Sequence, residues 1–207
     1  MAVAALSRFT VPLRTDQSRS TQGLLMPKLK YRFRITFENF GISGSDTVEL
    51  TKQVVSFNRP QVAFEDLELP VYNSRVKLAG KPNWTDTQVV LRDDAGGNVS
   101  RLVGYQLQKQ FDFMEQSSAA AGGDYKFNVR CEMLDGGNGD NTVQILETWE
   151  LVGAFIKEAN YQDLSYASNE ASTITLAIRF DNATQSPGGT GVGTMVGRAI
   201  GGLNVTL

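Results

Sequence analysis

The sequence contains 207 residues and no histidine. That absence removes Ser-His-Asp triads, Cys-His dyads, histidine general bases and His-ligated metals. Carboxylate chemistry stays open. The lone cysteine, Cys131, falls on the apolar side of an alternating stretch. No neighbour in sequence would stabilise its thiolate, so it reads as a small buried hydrophobe, and being alone it excludes an intramolecular disulfide. Glu65, Asp66 and Glu68 could face a cation, but they lack the alternating oxygen ligands, central glycine and terminal glutamate of a calcium loop. The run at 188–202, GGTGVGTMVGRAIGG, has no Gly-Lys-Ser/Thr ending and no preceding βαβ unit, so it is not a phosphate loop. Lys28, Lys30, Arg32 and Arg34 share one side of an extended stretch and could touch phosphates. No aromatic residue is interleaved on that side for base stacking, which favours a solvated or subunit-facing surface. Trp84 and Trp149 are the only tryptophans, too few for a sugar-stacking platform. No catalytic residue, metal ligand or cofactor site emerges, and the expectation is a protein that is not an enzyme.

The elements behind these residues are mainly strands. In 173–180, TITLAIRF, Ile174, Leu176, Ile178 and Phe180 alternate with Thr173, Thr175, Ala177 and Arg179. Period two places them on opposite faces of a strand packed on one side. The same pattern predicts strands over 28–38, 48–57, 84–92, 124–134 and 143–156. In 28–38, Leu29, Tyr31, Phe33, Ile35 and Phe37 face one way. In 48–57, Val48, Leu50 and Val54 oppose Glu49, Thr51 and Gln53. The run DGGNGDN at 135–141 reads as a hairpin turn. One helix is expected over 98–116, with Val99, Leu102, Val103, Leu107, Phe111 and Met114 at helical spacing and Asn98 as its N-cap.

Residues 1–26 have no sustained periodicity and read as an N-terminal arm. Residues 27–185 form the β domain. The glycine-rich 186–207 reads as a flexible C-terminal tail. Within the domain, 59–82 stands apart as a long loop. Pro60, Pro70 and Pro82 leave room only for short or edge pairing, while Val62, Phe64, Leu67, Leu69, Val71 and Tyr72 argue against disorder. Apolar surface held away from a core needs a partner, so self-assembly is expected. The fold class is mainly antiparallel β, a sandwich or barrel carrying one flanking helix. No apolar run approaches the roughly 20 residues that span a bilayer, and 1–6 is too short for a signal segment. The net charge of -2 gives no global pull toward nucleic acid or membrane.

The segments LPVYNSRVKLAGKPNW (69–84), SRLVGYQLQKQFDF (100–113), DYKFNVRCEMLDG (124–136), TWELVGAFIKEANYQDLSYAS (148–168) and TITLAIRFDNATQ (173–185) resemble, in order, the tail tube proteins of contractile-tailed bacteriophages, the T4-like tube family. The resemblance implies a ring-forming β-barrel-like fold shared with the inner tubes of type VI secretion. It implies hexameric rings stacked into a hollow tube inside a sheath. The tape-measure protein occupies the tube, and DNA crosses it without specific binding. Sheath, baseplate and tail terminator proteins are the implied partners. The implied location is the virion tail, after assembly in the host cytoplasm. Under this reading Phe64, Glu65, Asp66, Leu67, Glu68, Leu69, Val71 and Tyr72 are expected to couple rings. Glu49, Thr51 and Gln53 are expected to line a neutral to acidic lumen, because a basic one would hold DNA. Lys28, Lys30, Arg32 and Arg34 are expected at a subunit or sheath contact. Two alternatives stand beside it: the inner tube of a type VI secretion or other contractile injection system, and a β-sandwich ligand-binding module.

Overall fold

The computed structural model describes residues 28–41, 47–134 and 145–186, together with the backbone of 198–200 and 203–205. The chain divides into two compact units, Met1–Arg32 and Phe33–Leu207. Of the first, only 28–32 are described. There the Arg32 N–H donates to the Leu29 carbonyl at 3.2 Å, and the Arg32 guanidinium lies over the Tyr31 ring, 5.5 Å from its centre. The arm at 1–26 lies outside the described residues.

The second unit contains, in chain order, β1 (Phe33–Glu38), α1 (Val48–Gln53), β2 (Val54–Phe57), β3 (Val62–Val71), β4 (Ser74–Trp84), β5 (Thr87–Arg92), α2 (Asn98–Gln110), β6 (Phe111–Asp112), β7 (Ser117–Ser118) and α3 (Gly122–Tyr125). β8 (Phe127–Leu134), β9 (Ile145–Asn160), β10 (Thr173–Arg179), β11 (Asn182–Ser186), β12 (Arg198–Ile200) and β13 (Leu203–Val205) follow. A seven-stranded antiparallel sheet runs β1-β8-β9-β10-β5-β2, with β11 also paired to β9. β9 is the spine. Its first part pairs with β8 and β11, and its last residues pair with β10. The change of partner occurs at Gly153, which has φ +69, a backbone open to glycine at little cost. A Cβ there would lie 2.2 Å from Asp181 Oδ2, because the turn from β10 into β11 crosses at this point and Asp181 N–H donates to the Val152 carbonyl at 3.1 Å.

Alternation puts Ile35 and Phe37 of β1, Phe127, Val129 and Cys131 of β8, Leu151 and Ile156 of β9, Ile174, Leu176 and Ile178 of β10, and Val89 and Leu91 of β5 into one core. Leu50 of α1 and Val99, Leu102 and Val103 of α2 complete it. The expected mainly antiparallel β class is what folds.

Several elements differ from expectation for identifiable reasons. The first strand starts at Phe33, not at Lys28, because 29–32 close a turn. The stretch 48–57 is a six-residue helix followed by a four-residue strand. Leu50 and Val54 are four apart, so they share a face in either conformation, and burying Leu50 completely decides for the helix. The helix expected over 98–116 ends at Gln110, where Phe111 turns extended (φ -151, ψ 125). Asn98 is not its N-cap. Gly97 precedes the helix in the left-handed region, and Asp94 Oδ1 accepts the Val99 N–H at 3.0 Å while Oδ2 accepts the Asn98 side chain at 2.9 Å. Asp124 and Tyr125 belong to α3, not to the next strand. The expected turn at 135–141 lies outside the described residues, but the strands on either side of it pair antiparallel as a hairpin requires. β11 was not foreseen. Of the region read as a flexible tail, 198–200 and 203–205 form the small antiparallel ribbon β12–β13, and the rest beyond Ser186 lies outside the described residues.

Two glutamines lock α2 to its surroundings. Gln106 is fully buried. Its Oε1 accepts the Gly41 N–H at 2.8 Å and its Nε2 donates to the Tyr125 carbonyl at 2.6 Å. One turn on, the Gln110 amide makes both bonds of a strand partner, accepting the Ile156 N–H and donating to the Ile156 carbonyl, each at 2.9 Å.

Candidate assembly surfaces

The stretch read as a long loop is a hairpin, β3 and β4, ten and eleven residues long. It forms its own two-stranded sheet, so both strands are edges and proline is tolerated. Its turn has two residues, Tyr72 and Asn73, between the paired Val71 and Ser74. The next pair, Pro70 with Arg75, therefore points its backbone groups outward, where a missing N–H breaks no bond of the ribbon. A register shift between Phe64 and Asp66 places Gly80 against the Glu65 carbonyl, 2.7 Å from where a Cβ would sit. That contact leaves no room for a side chain at position 80.

Register sorts the side chains by face. Beyond the bulge, Leu67 lies opposite Leu78 and Leu69 opposite Val76, while Glu68 lies opposite Lys77 and Pro70 opposite Arg75. Alternation therefore puts Leu67, Leu69, Val71, Val76 and Leu78 on one side and Asp66, Glu68, Arg75 and Lys77 on the other. The five apolar side chains are 43–52% exposed. Tyr72 at the tip is fully exposed and has φ 44, an unfavourable region for a bulky residue. The hairpin base is fixed by the Thr85 N–H and hydroxyl, both donating to the Gln61 carbonyl at 3.0 Å, and by Trp84 packing on Phe180 at 5.7 Å between ring centres. Asp86, just beyond, bridges Lys157 and Arg179. Those hydrogen bonds hold its carboxyl below the ordinary 3.8.

A second surface is the side of β1, β8, β9 and β11 turned away from the core. Arg34 on β1 donates to Glu132 on β8 at 2.7 Å. Arg130 on β8 reaches Glu38 on β1 at 3.3 Å and Glu150 on β9 at 3.1 Å. Thr36, Thr148 and Thr184 share this face by register. Both guanidiniums are thus paired across strands, and with three carboxylates to two cations the set is one unit negative. A third surface is the β6–β7 turn, which exposes Phe113 and Met114 beside α2.

The residues singled out from sequence are distributed unevenly over these surfaces. Phe64, Glu65, Asp66, Leu67, Glu68, Leu69, Val71 and Tyr72 all lie on β3 or its turn. Glu49, Thr51 and Gln53 are not on a strand face. They lie on α1, where Glu49 and Gln53, four apart, share a side and Thr51 points elsewhere, so the alternating strand face expected for them does not form. Of Lys28, Lys30, Arg32 and Arg34, only Arg34 is on β1, and it is paired with Glu132. The basic strand face therefore does not form. Sequence reading passed over Arg75, Lys77 and Lys81, whose alternation on β4 was hidden by the prolines. It also passed over Arg130, Glu132 and Glu150, although their alternation with Val129, Cys131, Trp149 and Leu151 was visible.

Cys131 is buried, and burial pushes its thiol up to about 12. Trp149 is in the core and donates to the buried Glu147 at 2.6 Å, and Trp84 is partly buried against Phe180. No group of three or more potential metal ligands forms among the described residues, and no described helix is long and apolar enough to cross a membrane.

No family model matches the sequence, and no curated protein matches it. Solved structures do. A chain of the sheath/tube terminator of an extracellular contractile injection system aligns with TM-score 0.56 at 14% identity, covering 80% of this chain and 100% of that one. A chain of the anti-feeding prophage tube terminating cap aligns with TM-score 0.56 at 15% identity, covering 79% and 93%. A chain of the 6-fold symmetrised anti-feeding prophage baseplate aligns with TM-score 0.54 at 16% identity, covering 79% and 97%. The fold is thus one found in sheath/tube terminator, cap and baseplate assemblies of contractile injection systems.

Proposed function

We propose that this protein is a structural subunit of a contractile-tail tube, most simply a phage tail tube. Its hexameric rings stack into a hollow conduit and work with sheath, baseplate, terminator and tape-measure proteins, and DNA passes through without specific binding. The observation that carries this reading is the β3–β4 hairpin. Its apolar face stands about half exposed on a fold found in contractile injection systems, and burying the exposed half of each such side chain is worth up to about 1.5 kcal/mol. The next ring supplies the cover, in a head-to-tail contact that propagates instead of closing. The conduit wall is then sought in the ion-paired, slightly acidic face of Arg34, Glu38, Arg130, Glu132 and Glu150, since a wall whose cations are already paired lets phosphates leave.

The test replaces 63–83 with a short Gly/Ser linker. Removing the whole hairpin avoids leaving β4 without its partner. Electron microscopy of the purified variant should show rings and no tubes, with the thermal melt of the sheet domain preserved. Tubes of normal length would refute the coupling role. The cap and terminator structures favour a second reading, a tube-ending ring. In that case the unmodified protein alone would give single rings at every concentration.

A further inference from the structure

The hairpin's charges are sorted by strand. β3 carries Glu65, Asp66 and Glu68 and no base, while β4 carries Arg75, Lys77 and Lys81 and no acid. Only part of this is used within the ribbon: Arg75 meets Glu68 at 2.9 Å, with both side chains well exposed. Asp66 lies opposite Ala79, not a base. Among the described residues this sheet has two strands, so neither strand has another beside its outer flank. An edge guarded against association carries charges that repel a second copy. Here the flanks have opposite sign, so the β3 flank of one copy attracts the β4 flank of another.

We propose that hairpins of neighbouring copies lie side by side, β3 of one along β4 of the next, joined acid to base in a contact that repeats from copy to copy. This rests on the reading of the chain as a self-assembling tube or cap subunit. The occupant is a second copy because the complementary surface is on the same chain. A polyanion such as nucleic acid would be drawn to β4 and repelled by β3. Pro70 interrupts the outward donors of β3, so the contact runs through side chains and sets register. Laid side by side, the ribbons also merge the faces of Leu67, Leu69, Val71, Val76 and Leu78 into one apolar band.

The experiment exchanges the charges in one chain: Glu65→Lys, Asp66→Lys, Glu68→Lys, Arg75→Glu, Lys77→Glu and Lys81→Glu. Net charge and cross-strand pairing are kept, so the hairpin retains its own interactions. This protein should assemble alone as the unmodified chain does, since its flanks are again opposite. Mixed with differently labelled unmodified protein before assembly, it should enter those particles at no more than roughly a tenth of the normal level, because like charges then face each other. A variant with all six positions changed to Gln should enter both kinds of particle. Free mixing of the exchanged and unmodified chains overturns the proposal and leaves the tube reading intact. So does failure of the exchanged protein to assemble while the Gln variant does, since the charges would then meet a fixed surface elsewhere. An unmodified protein that never assembles brings down the tube reading and this proposal together.

Discussion

Gly153 is where a single atom would be felt most. It combines φ +69 with Asp181 packed against its α-carbon. Gly153→Ala should lower stability by about 1–3 kcal/mol from backbone strain, with a further cost if the Asp181 carboxylate gives up its bond to Lys126, now 2.6 Å. Chemical denaturation measures this, and an unchanged midpoint would show that the corner is not constrained. Asp86 offers a pH test. Its folded carboxyl sits below the ordinary 3.8 through its bonds to Lys157 and Arg179. A depressed carboxylate stabilises above the unfolded value and loses that contribution as pH falls through the folded one. Asp86→Asn should therefore be less stable than the unmodified protein at neutral pH, and the gap should narrow below about pH 4. A gap that persists to low pH would assign the effect to packing.

Among the elements, α2 shows how burial divides a stripe that sequence spacing alone treats as uniform. Leu102 is buried and Leu107 only partly so, while Phe111 and Met114 have left the helix. Leu102→Ala should cost about 2–5 kcal/mol, and Leu107→Ala clearly less, because a half-open site leaves no sealed cavity. Thermal melts of the pair check the order, and equal losses would mean α2 sits deeper than its burial shows. The helix is also tied by polar bonds. Gln110 satisfies both backbone groups of Ile156, which closes part of an edge of β9 that β8, paired only as far as Ala154, leaves open.

For the whole molecule, two kinds of contact are expected to act together in assembly. The apolar hairpin face supplies burial, which salt does not weaken. The sorted flanks supply charge attraction, which salt screens within about 10 Å at 0.1 M. Mass measurement in solution should show ring-sized particles at high protein concentration, with raised salt shifting assembly to higher concentration without abolishing it. A strict monomer at all salts would defeat the assembly reading, and complete dissociation in salt would leave the apolar face without a role.

The strands that carry the core were legible because burial on one face imposes period two. Ile174, Leu176 and Ile178, or Val129 and Cys131, can alternate with polar neighbours for no simpler reason. The projecting apolar stretch was also legible, since its aliphatic residues could not all reach the parent core. What sequence periodicity could not decide was α1, where Leu50 and Val54 suit both periods and only contact with the core distinguishes them. Nor could it reveal β11 and the corner at Gly153, which exist because β9 changes partner between residues far apart in the chain. The acid and base flanks of the hairpin needed strand register as well. Charges at 65–68 and 75–81 become opposite edges of one ribbon only after the chain has folded back at Tyr72.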